Sequence, residues 1–126
     1  MDKQIINTTN APEAVGPYSQ GVRVGNLVFL SGQIGIDPAV KKVVEGGVEA
    51  QAIQIFKNIK ALLAEVGAGM KNVVKATVFL KDMGDFKKVN EIYAQNFEKP
   101  FPARSAVAVK DLPLSVDIEI EVIATL

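Results

Sequence analysis

Neither cysteine nor histidine occurs in this chain of 126 residues. Their joint absence excludes thiolate nucleophiles, Ser-His-Asp triads, thiolate zinc sites and every imidazole acid or base. A metal would have to be held by oxygen ligands alone, and no Asp-x-Asp cluster is present, so no metal is expected. No glycine-rich phosphate loop exists either, since Gly67-Ala68-Gly69 follows a helical pattern rather than opening one. Net charge is missing as well. Fourteen basic and fourteen acidic side chains cancel, leaving no global field to draw in nucleic acid or an anionic membrane. No apolar run approaches the length of a membrane span, and Met1–Ile6 lacks the zones of a signal peptide. The expected location is the cytoplasm. An enzyme made from this chain works with carboxylate, guanidinium, hydroxyl and backbone groups.

What is present is a core. Hydrophobic residues make up 48% of the chain and charged ones 22%, which suits one folded domain over residues 1–126. Lys3–Asn7 reads as a first strand, followed by a loop with two prolines that delivers Tyr18. Gly21–Val24 and Leu27–Ser31 form a hairpin around Gly25-Asn26, and Gly32 beyond it permits a close approach to the backbone. Asp37–Lys42 reads as an exposed turn. Apolar residues at three- and four-residue spacing predict a helix over Val48–Val66, closed by Gly67. Period-two alternation predicts a strand over Asn72–Lys81. A second helix follows over Phe86–Phe97, capped by Asp85, with the stripe Phe86, Val89, Tyr93, Phe97 and with Asn90 on its flank.

The last quarter alternates twice more, over Phe101–Val109 and Val116–Ala124. Arg104 shares a face with Ala106 and Ala108, and Glu119 shares one with Glu121. The connector Lys110–Ser115 is short, so these two strands are expected to be neighbours. The order β-β-β-α-β-α-β-β then gives an α+β fold, a single six-stranded sheet with two helices on one face. The other face, assigned Phe79, Ala106, Ala108 and part of the first hairpin, is too apolar for water, so subunits are expected to cover it for one another. Arg104 and Glu119 are placed on that uncovered side. From pattern alone two readings of them stay open, a cross-strand salt bridge and a ligand site in a subunit cleft.

Five segments together resemble the RidA (reactive intermediate deaminase) family: Gly16-Pro17-Tyr18-Ser19-Gln20-Gly21, Leu30-Ser31-Gly32-Gln33-Ile34, Ala76–Asp82, Pro102-Ala103-Arg104-Ser105 and Ile118-Glu119-Ile120-Glu121. The resemblance runs in order over essentially the whole chain. It implies a chorismate-mutase-like fold assembled as a homotrimer with sites between subunits. It also implies cofactor-free hydrolysis of the enamine and imine intermediates 2-aminoacrylate and 2-iminobutyrate to 2-keto acids and ammonia. By that likeness Arg104 grips the substrate carboxylate and Glu119 serves the hydrolytic water. Backbone groups at Gly32 and Ala106 meet the reacting end, Tyr18 and Ser31 close over the ligand, and Asn90 shapes the site. Many relatives carry cysteine where Ala106 stands, which puts thiol-based regulation in doubt here.

Two rival classes remain. A non-catalytic metabolite-binding or regulatory trimer would use the same arginine. Some members of the family are described as endoribonucleases or translation inhibitors, but zero net charge, no basic run and only two tyrosines make a poor RNA surface.

Overall fold

The computed structural model describes residues 2–126. Six strands form the main sheet: β1 (Lys3–Ile6), β2 (Gly21–Val24), β3 (Leu27–Leu30), β6 (Val73–Leu80), β7 (Ala103–Ala108) and β8 (Ile118–Thr125). Two short strands, β4 (Ile36–Asp37) and β5 (Lys42–Val43), pair apart from it, and the helices are α1 (Gly47–Ala64) and α2 (Phe86–Asn96). The β2–β3 turn is the expected one, with Gly25 at φ 59° and Val24 paired to Leu27. The Asp37–Lys42 turn is the tip of a miniature hairpin, whose two-residue strands are too short to leave a periodic signal. The cap of α2 also differs from expectation. Asp85 makes no capping bond, whereas Asp82 accepts from the Gly84 N–H at 2.8 Å in the turn that leads in.

Alternation decides which side of the sheet is core. Val28 and Leu30 of β3, Ala76, Val78 and Leu80 of β6, and Ile118, Ile120, Val122 and Ala124 of β8 are buried. They pack with Ala52, Ile55, Phe56, Ile59, Leu62 and Leu63 of α1 and with Val89 and Tyr93 of α2 in one cluster. Both helices therefore lie on one face. Two polar residues interrupt the buried stripe of α1, and both make bonds. Gln51 accepts from the Asp117 N–H at 2.9 Å, and Asn58 donates to the Ile36 carbonyl at 2.9 Å. They fasten the segment after β3 and the start of β8 to the helix. Among the described residues no helix is long and apolar enough to cross a membrane.

The strand order is β1-β2-β3-β8-β6-β7, with β7 parallel to β6 and every other main-sheet pair antiparallel. The two C-terminal strands are thus not neighbours, because β6 lies between them. A connector the length of Lys110–Ser115 easily spans two inter-strand spacings of about 5 Å each, so its shortness did not require pairing. The register also reverses one face assignment. Arg104, Ala106 and Ala108 lie opposite Ala76, Val78 and Leu80, so they point to the helix side. Glu119 and Glu121 lie opposite Phe79 and Thr77, on the uncovered side. That side is apolar as anticipated, through Ile5, Leu27, Phe29 and Val107, all more than 40% exposed.

Candidate functional site

The site residues fall into two groups on opposite faces of the sheet. The first surrounds Glu119. Beyond β3 the chain continues alongside β8, where Gln33 exchanges both backbone hydrogen bonds with Ile120 at 2.8 and 3.0 Å. This sets Gly32 directly against the Glu119 side chain. A β-carbon at Gly32 would overlap the carboxylate, standing 2.8 Å from its carboxyl carbon. Glycine is needed there for close approach, as its strand position suggested, rather than for an unusual φ.

Tyr18, Gly32 and Glu119 line a cleft of about 640 Å³, walled further by Pro12, Ile34 and Leu114. Ser31 donates its hydroxyl to the Ser19 carbonyl at 2.5 Å, so it anchors the Tyr18 loop. Sequence reasoning missed the other anchor, Gln20. Its buried amide donates to the carbonyls of Thr8, Ala11 and Pro12 and accepts from the Thr8 N–H at 2.7 Å. A glutamine closing a proline-containing loop carries no periodic signal; only the three-dimensional path of the loop reveals it. Burial pushes the Glu119 carboxyl above the ordinary glutamate range, and the like charge of Glu121 pushes it further.

The second group surrounds Arg104. Its Nη1 donates to Asn90 Oδ1 at 2.6 Å. Its guanidinium carbon stands 5.2 Å from the Phe86 ring centre and 4.7 Å from that of Tyr93. Residues 86, 90 and 93 recur at four- and three-residue spacing, so one stripe of α2 presents all three to β7. Ala106 follows on the same face, partly buried against the core. Burial raises the Tyr93 hydroxyl above its usual range, while the neighbouring Arg104 charge lowers it in part.

Among the described residues Arg104 has no carboxylate partner. The one ion pair among the described residues is Lys41 with Glu13, at 3.7 Å on the surface. With Arg104 and Glu119 on opposite faces, a cross-strand salt bridge between them within one chain is excluded. Only one of the five guanidinium N–H groups is taken by Asn90, which leaves a planar fork suited to an oxyanion.

The chain is thus an α+β protein of a mixed six-stranded sheet covered by two helices, with an unpaired arginine on one face and an electrostatically perturbed glutamate on the other. The comparisons give the family. The model of the Endoribonuclease L-PSP family matches residues 8–126. A 2-iminobutanoate/2-iminopropanoate deaminase of Homo sapiens is 48% identical over 122 residues, spanning 97% of this chain and 89% of that one. A RutC family protein of Pyrococcus abyssi is 49% identical over 124 residues, covering 98% of both chains. The crystal structure of RidA from an Antarctic Psychrobacter species superposes with a TM-score of 0.94 at 47% identity, covering 98% of this chain and 99% of that one. The chain belongs to the RidA family.

Proposed function

We propose that this protein hydrolyses 2-imino acids of the 2-iminobutyrate and 2-iminopropionate kind, tautomers of the enamines, to 2-keto acids and ammonia. The observation that carries the reading is Arg104, a guanidinium held by Asn90 and two aromatic rings with no carboxylate among the described residues to neutralise it. The deaminase name of a relative 48% identical supports the same assignment.

The chemistry needs little more. Arg104 takes the substrate carboxylate in two parallel hydrogen bonds and fixes C2. Glu119 accepts a proton from water as its oxygen bonds to C2 of the iminium. It then returns that proton to the amino nitrogen of the carbinolamine, whose C–N bond breaks as the carboxylate takes the hydroxyl proton, giving ammonia and the keto acid; the ammonia carries that proton away as ammonium. A carboxyl raised by burial and by Glu121 suits both halves of this exchange. No cofactor enters these steps.

Because Arg104 and Glu119 lie on opposite faces of their own sheet, we assign the complete site to a cleft between two copies. The exposed apolar face supplies the surface for that contact, and a homotrimer is the assembly we propose. The test is ammonia release from 2-iminobutyrate generated in situ, measured against the spontaneous rate in buffer. Acceleration by wild type and none by Arg104→Ala supports the reading. Binding of 2-ketobutyrate with no acceleration would instead give a metabolite-binding protein.

A further inference from the structure

Resting on that reading, we infer that Phe86 and Tyr93 are positioning residues for the reaction: with Asn90 they form a cradle on α2 that orders the Arg104 guanidinium before substrate arrives. Arg104 leaves the sheet at its edge strand and is itself exposed, so burial does not hold it. A solvent-exposed arginine samples many rotamers, and a ligand that grips it must suppress that freedom. Here the freedom is already limited. Two ring faces lie within 5.2 Å of the guanidinium carbon, and the Asn90 oxygen fixes rotation about the plane through Nη1. Rings of this kind contact the flat side of a guanidinium and leave its N–H edge for a carboxylate.

The rings are themselves fixed. Tyr93 is 4% exposed and packs tilted on Phe97 at 4.6 Å and edge-on to Phe56 at 6.0 Å. Its hydroxyl is buried without a hydrogen-bond partner, so the ring keeps this place although the oxygen gains nothing from it. The core thus braces Tyr93, Tyr93 and Phe86 brace Arg104, and Arg104 meets the ligand. The cradle also makes lysine a poor substitute at position 104, because a compact ammonium cannot lie flat on two rings and keep a two-toothed edge.

Phe86 is the residue to change, since it is only partly buried and begins its helix. Phe86→Leu should weaken 2-ketobutyrate binding about three- to thirtyfold, raising KM more than it lowers kcat because Glu119 is untouched. Phe86→Tyr, which keeps the ring face, should recover most of that loss. In the Arg104→Lys background Phe86→Leu should add almost nothing, the non-additivity expected of residues acting through one group. In the unliganded protein the Arg104 Nε–H resonance should be ring-shifted and lose the Phe86 share of that shift in Phe86→Leu, the Tyr93 share remaining. A folded Phe86→Leu protein that binds 2-ketobutyrate like wild type while Arg104→Ala does not would overturn the cradle and leave the proposed function standing. Normal binding by Arg104→Ala would overturn both.

Discussion

Adding one methyl group at Gly32 tests whether Glu119 acts chemically, because the structure confines the damage to that side chain. Gly32 is not among the residues at positive φ, so alanine fits the backbone without conformational strain. What its β-carbon meets is the end of Glu119, 2.8 Å from the carboxyl carbon and 3.1 Å from Cγ. Those distances are below van der Waals contact, so the carboxylate must move by roughly 1 Å or turn to a poorer rotamer. The conformational cost is about 0.5–1.5 kcal/mol, a shift of a few degrees in Tm for a domain of this size. The catalytic cost is larger, since a displacement of that size can lower turnover on the order of 10²-fold. Gly32→Ala should therefore keep its fold and 2-ketobutyrate binding while losing most imine hydrolysis, followed as ammonia release beside a thermal melt. In a Glu119→Gln background the methyl group should cost little more. Full turnover in a folded Gly32→Ala protein would refute the role given to Glu119.

Four other outcomes follow from particular residues. Glu119 works as a base when ionised, and its pKa is raised, so activity should climb with pH through a limb above the usual glutamate range. Glu121→Gln removes the like charge and should move that limb to lower pH; an unmoved limb in the pH–rate profile would mean that Glu121 does not reach the site. The same sign governs stability: protonated Glu119 is favoured in the fold, so its contribution is present below the unfolded pKa and is lost as pH rises through the folded one. Glu119→Gln should accordingly flatten the denaturant-measured stability profile across that window. Gln20→Ala deletes four hydrogen bonds to the Tyr18 loop and should cost about 2–4 kcal/mol by urea unfolding, with faster amide exchange at Thr8. Tyr93→Phe removes a buried hydroxyl that has no partner and should leave the melting temperature equal or higher, whereas a loss above about 1 kcal/mol would reveal a partner for that oxygen.

The six main-sheet strands and the two helices were legible from periodicity and turn residues, the β4–β5 hairpin was not, and sheet order and facing were less so. Alternation correctly put Arg104 with Ala106 and Ala108, yet could not say that this set, rather than Ser105, Val107 and Val109, turned toward the helices. The more apolar set would ordinarily be the buried one. At the sheet edge the small alanines instead leave room beneath α2, and the arginine finds its aromatic partners there. Phe86 and Tyr93 were legible as a helical stripe, though nothing in a stripe distinguishes core aromatics from those that hold a cation. Gly32 carried a stronger signal, since a glycine at a strand end implies something close by. That the close group was Glu119 required the Gln33–Ile120 pairing, which joins segments far apart in the chain.

The central claim is that each site takes Arg104 from one copy and Glu119 from another, and subunit mixing tests it most directly. Arg104→Ala and Glu119→Gln proteins, each nearly inactive alone, are unfolded together, refolded and assayed for ammonia release from 2-iminobutyrate. With random assembly, about one site in four combines an intact arginine from one subunit with an intact glutamate from its neighbour. The mixture should therefore regain about a quarter of wild-type activity. A refolded, assembled mixture no more active than its parents would contradict the shared site.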